Sequence, residues 1–105
     1  MIARVWNGRA SGDAAAAYRE LLVGTIMPGI AARSIAGYRD YELWERDEAD
    51  GVTVFTTVMR FDDEAAIANF VGKDVTRANL PEAALELLDS WDERAVHHRV
   101  RETGA

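Results

Sequence analysis

The sequence predicts an α+β domain, one antiparallel sheet of four strands with helices on a single face. Three observations carry this. The stretches Met1 to Asn7 and Val52 to Phe61 are apolar at both alternating sets of positions, as strands at the centre of a sheet must be. Each is followed by a helical pattern, and the chain holds only two substantial helical regions. The elements then run strand, helix, strand, strand, helix, strand. With right-handed crossovers, that order gives a sheet arranged 4-1-3-2. Two helices cover one face of such a sheet, so the other face is expected to be buried against a second copy of the chain.

The first strand runs from Ile2 to Asn7 and stops at Gly8. Ser11-Gly12-Asp13 supplies a helix start, with a capping oxygen and an acid in the first turn. Ala14, Ala17, Tyr18, Leu21, Leu22 and Thr25 follow at steps of three and four as one stripe. Pro28-Gly29 is expected to end or kink this helix. Gly37 opens a second strand, Tyr38 to Arg46, with Tyr38, Asp40, Glu42 and Trp44 on one side and Arg39, Tyr41, Leu43 and Glu45 on the other.

Asp50-Gly51 suits a hairpin turn into the third strand, the strongest in the chain. Its two faces are Val52, Val54, Thr56, Val58 and Thr53, Phe55, Thr57, Met59, Phe61. Asp62-Asp63-Glu64 places acids at the start of the second helix, Ile67, Phe70 and Val71 form its buried side, and Gly72 ends it. Asn79 and Glu82 have capping-box spacing around Pro81 for a short helix lined by Ala84, Leu85, Leu88 and Trp91. The last strand is Arg94 to Arg101. The central strands are then the apolar ones and the edges the charged ones, so composition and topology agree.

A chain of 105 residues is one domain, 1–105, near the size at which a single core suffices. Its formal charge of −6 argues against nucleic acid, whose binding rests on Lys and Arg, and against anionic lipid surfaces. The absence of cysteine excludes disulfides, thiolate nucleophiles and zinc–thiolate centres. Met1-Ile2-Ala3-Arg4 does not begin a signal peptide and no apolar run reaches membrane length, so the expected location is cytoplasmic, with no membrane partner.

Several segments resemble the antibiotic-biosynthesis-monooxygenase-like proteins of the dimeric α/β-barrel superfamily. They are Met1-Ile2-Ala3-Arg4-Val5-Trp6, Pro28-Gly29, Gly37-Tyr38-Arg39, Ala66-Ile67 with Phe70-Val71-Gly72-Lys73-Asp74, and Asp92-Glu93-Arg94-Ala95-Val96-His97. The resemblance spans nearly the whole chain. It implies a ferredoxin-like βαββαβ protomer and a homodimer in which two open sheet faces close into a barrel. It also implies a small aromatic ligand and chemistry without a cofactor or metal, because some relatives oxidise polyketide quinols or anthrones with oxygen alone. Other relatives degrade haem, isomerise small molecules or have no established activity. A non-catalytic ligand-binding or stress-associated dimer is the alternative.

The candidate catalytic residues are Asn7 and His97. An amide at Asn7 can hold a substrate oxygen or a developing oxyanion, or Asn7-Gly8 can simply end a strand. His97 matches a position where relatives carry histidine and can take a proton from a phenol or serve as an interface hydrogen bond. His97 and His98 are the only imidazoles; as strand neighbours they face opposite sides and cannot share a metal. Haem-degrading relatives pair an Asn at the first strand's end with a His on the second helix. Asp62 to Gly72 contains no histidine, which sets haem aside. Trp44, Tyr38 and Tyr41 are the candidate ligand-binding aromatics, with Trp44 equally suited to a dimer seam and the two tyrosines on opposite faces.

Overall fold

The computed structural model describes all 105 residues. β1 (Ile2–Ser11) and β3 (Val52–Phe61) pair antiparallel along their whole length, from Ile2 opposite Phe61 to Ser11 opposite Val52. β2 (Tyr38–Asp47) lies beyond β3, and the far edge of β1 takes β4 (Ser90–Trp91) and β5 (Val96–Arg99) end to end. This is the expected 4-1-3-2 sheet, with its fourth strand in two pieces. No helix is long and apolar enough to cross a membrane.

The break in the last strand has a physical cause. Between the pairs Gly8–Trp91 and Ile2–Arg99, β1 advances six residues and its neighbour eight. The two extra residues bulge at Asp92–Ala95: Asp92 N–H still reaches Asn7 O on β1 at 3.0 Å, but Glu93 and Ala95 turn to the 76–78 loop, with Ala95 N–H to Thr76 O at 2.7 Å and Ala78 N–H to Glu93 O at 3.4 Å. Trp6 Nε1 donates to Asp92 O at 2.7 Å and pins the bulge.

α1 (Gly12–Leu21) does not stop at Pro28. It passes through a π-helical turn, Leu22–Ile26, into α2 (Met27–Ala32) with helical dihedrals throughout. Proline lacks an N–H and crowds the carbonyl one turn back, and the wider turn makes room, with Met27 N–H reaching five residues back to Leu22 O. The buried line of this helix is Ala15, Tyr18 and Leu22, whereas Ala17 and Thr25 are exposed. Four consecutive alanines mark no face and Thr25 falls in the π turn, so the expected stripe holds at Tyr18 and Leu22 and fails at Ala17 and Thr25. Ser11 is extended but does not cap, because its hydroxyl donates to Asp89 instead, at 2.9 Å.

α3 (Glu64–Val71) is capped by Asp63, which accepts from Ala66 N–H at 2.9 Å, and ends at Gly72 with φ 88°. α4 (Glu82–Leu85) is a single turn entered through Pro81, and neither Asn79 nor any other side chain caps it. Trp91 lies outside that helix, in β4, and is 40% exposed, so it does not line the helix's inner face.

The helices cover one face of the sheet. Trp6, Phe55, Met59 and Phe61 point into this core against Tyr18, Leu22, Met27, Ile67 and Phe70. Tyr18 meets Phe55 edge-on, with centroids 4.9 Å apart. The opposite face is open. There Val54 and Val58 are buried among their strand neighbours yet stand outside the core, beside Val5, while Val96 and Trp44 are more than half exposed. Paired charges rim this valine band, Arg60 with Asp40 and Glu42, and Arg9 with Glu48.

One irregularity changes the reading of β2. Tyr38 stands opposite Phe61 and Asp40 opposite Arg60, so Arg39 is an extra residue. Tyr38 and Tyr41 therefore share the helix-facing side and both pack on the core, contrary to strict alternation.

Candidate ligand site

A cleft opens between the helix side of the sheet and the widened turn of the long helix. Its apolar walls are Trp6 and Met59 from the sheet, Leu22, Ile26, Met27 and Ile30 from the helix, Phe70 from α3, and Leu80 from the loop before α4. Arg4, Thr57 and Asn79 add polar groups. Counting open solvent at the mouth, the space is about 430 Å³. The enclosed part is narrower, about 40 Å³, room for about two or three waters. Pro28 is indirectly part of this design. The π turn it accompanies carries Leu22 and Ile26, both wall residues.

Arg4 is the unusual wall residue. It sits on the inward stripe of β1 with Trp6 and Ala10 and is only 4% exposed. Its guanidinium donates from Nη1 to Val75 O and from Nη2 to Arg77 O, each at 2.6 Å. Nη1 also lies 3.0 Å from His97 Nε2. Arginine only donates, so Nε2 is the acceptor there and the ring proton belongs on Nδ1. The guanidinium lies 5.8 Å from the Phe70 ring centroid. Burial pushes its pKa down to about 10, which leaves it charged at neutral pH.

His97 stands opposite Arg4 across the β1–β5 pair, half-buried, and is not on the cleft wall. Its pKa is lowered from the usual 6.5, first by burial and then by the Arg4 charge. Neutral imidazole is thus favoured, but its free nitrogen already faces Arg4.

Asn7 lies on the other face of the sheet. Its amide is engaged on both sides: Nδ2 donates to Asp92 Oδ2 at 2.9 Å, and Oδ1 accepts from Thr56 Oγ1 at 2.6 Å. One protomer therefore does not bring Asn7 and His97 to a common ligand. Trp44 is also on the open face, 52% exposed, with Nε1 3.3 Å from Glu42. Tyr38 and Tyr41 share the helix side with the cleft but do not line it; Tyr38 packs on Phe61 with centroids 5.4 Å apart. No three His, Asp or Glu side chains gather at metal-binding range.

The sequence reading passed over Arg4. A signal was present: an arginine sharing the strand parity of Trp6, on the stripe that must face the core, is out of place unless it has work there. The loop contribution, Asn79 and Leu80, carried no such signal.

No family model matches the sequence, and no curated protein does. Solved structures do. A candidate antibiotic biosynthesis monooxygenase from Bacillus cereus is 13% identical and superimposes with a TM-score of 0.59, covering 100% of this chain and 95% of its own. The protein Rv0793 from Mycobacterium tuberculosis is 20% identical with a TM-score of 0.59, covering 99% and 98%. At these identities the likeness establishes architecture: the chain has the fold seen in the antibiotic-biosynthesis-monooxygenase-like proteins.

Proposed function

We propose that the chain is a homodimeric, antibiotic-biosynthesis-monooxygenase-like protein of the cytoplasm. It oxidises an electron-rich aromatic of the quinol or anthrone type with oxygen and no cofactor, and the helix-side cleft is its ligand site. The observation that carries the reading is that cleft, with eight apolar walls around one buried arginine, in a fold shared with a candidate monooxygenase. In the anthrone reaction, the ring methylene loses two hydrogens and gains one oxygen atom, and the second oxygen leaves as water. The substrate anion itself reduces oxygen. The protein's work is to hold the flat ring between Trp6, Met27 and Met59, to exclude water, and to stabilise the substrate oxygen. The open face supports the dimer, since a valine band rimmed by charge is the composition of an interface. Asn7 and Trp44 then belong to that seam.

The second reading is a binding dimer without turnover. It is favoured by one specific observation: no histidine or carboxylate lines the cleft, so no acid–base side chain touches the ligand there.

The test is oxygen uptake on a panel of hydroquinones and anthrones, with a chelator present and no flavin or metal added. Turnover above the uncatalysed rate is expected, and Ile26→Trp, which fills the cleft, is expected to abolish it. Uptake that survives Ile26→Trp but is lost in Asn7→Ala would move the site to the open face. No uptake on any substrate would leave the binding reading.

A further inference from the structure

We propose that the cleft takes its ligand as an anion, an aromatic bearing an ionised ring oxygen, with Arg4 as the counter-charge. The inference deepens the function proposed above and rests on the cleft being the ligand site. Each of the seven ion pairs in the protein joins other residues, and none includes Arg4. Its three hydrogen-bond partners, Val75 O, Arg77 O and His97 Nε2, are all neutral acceptors. A guanidinium has five N–H bonds, so two remain without partners in the chain, including that on Nε. An arginine this deeply buried is ordinarily matched by a carboxylate, because an uncompensated charge away from water is costly.

The cost is offset when a ligand brings the missing charge. In a cleft walled by Trp6, Met59 and Phe70, the attraction is weakly screened and a charge-assisted hydrogen bond is strong. The chain as a whole carries −6, so its general field repels anions, and preference for one must come from a local cation. The chemistry follows from the same placement. Arg4 lowers the pKa of a bound phenol, so the proton can be lost to water and the anion held ready, with no base on the wall.

Absorbance titration with 4-nitrophenol tests this, because its phenolate is coloured and it ionises near neutrality. Bound at about pH 6, the probe is expected to become the phenolate. The neutral shape-match 4-nitroanisole is expected to bind about tenfold more weakly or worse. Competition by benzoate separates a carboxylate from a single charged oxygen: weak competition fits the proposal, and benzoate binding tighter than the phenolate overturns the ring-oxygen assignment. Arg4→Met is expected to reverse the preference towards 4-nitroanisole. Should that variant fail to fold, the wild-type comparison of the two probes decides alone. Equal binding of the two probes, no binding of the phenolate, or an anion preference that persists in folded Arg4→Met overturns the inference. Oxygen uptake without anion preference sinks the inference but keeps the oxygenase. Anion preference without uptake does the reverse.

Discussion

Gly37→Ala should be among the most damaging conservative changes in this protein, although it adds one methyl group. Gly37 sits at φ +84°, a region L residues enter at a cost of about 1–2 kcal/mol. A Cβ there would also stand 2.4 Å from the Ala66 Cβ, well inside contact distance, and Ala66 is 3% exposed on a helix that buries Ile67, Phe70 and Val71. Helix α3 would have to lift from the sheet, an overpacking cost of about 1–3 kcal/mol. Together these predict a loss of about 2–5 kcal/mol, against a typical total of about 5–15. Urea unfolding followed by tryptophan fluorescence measures it. The partner variant Ala66→Gly separates the terms, since it costs about 1 kcal/mol alone as a helix glycine but removes the clash. The double variant should therefore cost about 1–3 kcal/mol less than the sum of the singles. A Gly37→Ala protein within about 0.5 kcal/mol of wild type, or strict additivity, would refute this reasoning.

Other outcomes follow from the same geometry. Tyr18 is fully buried, its hydroxyl has no partner, and burial pushes its pKa up to about 12, so Tyr18→Phe should be neutral or stabilise by up to about 1 kcal/mol in urea unfolding. A clear loss would reveal a hydroxyl partner. His97 has a folded pKa below its unfolded value, so the unfolded chain binds the extra proton. Its contribution is complete above about pH 6.5 and is lost as pH falls below that value. The urea midpoint of wild type should fall through this window more steeply than that of His97→Gln; parallel profiles would remove His97 from the explanation. Val54 and Phe55 are 3% and 1% exposed on opposite faces of β3. Phe55→Asp should unfold the domain, and Val54→Asp should unfold it or leave a monomer by sedimentation velocity. A native-size dimer in either variant would contradict the placement of β3.

Much of the fold was legible because it follows from two-residue periodicity and local signals. Val52 to Phe61 alternates two apolar sets, which can only be a central strand, and Asp63 and Gly72 bracket α3 through chemistry confined to a few residues. What stayed hidden were insertions of one or two residues whose cause lies elsewhere in the chain. The extra residue at Arg39 turned Tyr38 to the face of Tyr41, and the bulge at Asp92–Ala95 is held by Trp6 and the 76–78 loop. Alternation, read strictly, cannot survive a bulge. Pro28-Gly29 is expected to end or kink the helix, and the choice between the two lies with the π turn that accommodates the proline, which depends on neighbouring geometry and not on composition. At the site, residue chemistry drew attention to Asn7 and His97, whereas strand parity pointed to Arg4. Parity separated Asn7 from the helix-side cleft, since positions 4 and 7 of one strand face opposite ways.

Methyl-resolved NMR of the protein titrated with 4-nitrophenolate tests the placement of the ligand site most directly. The two faces carry different methyl types: Ile26, Ile30, Met27 and Met59 line the cleft, while Val5, Val54, Val58 and Val96 mark the open face. The isoleucine and methionine signals should shift with saturation while the four valines stay in place. Shifts confined to those valines, or a spectrum unmoved by the ligand, would contradict the helix-side cleft.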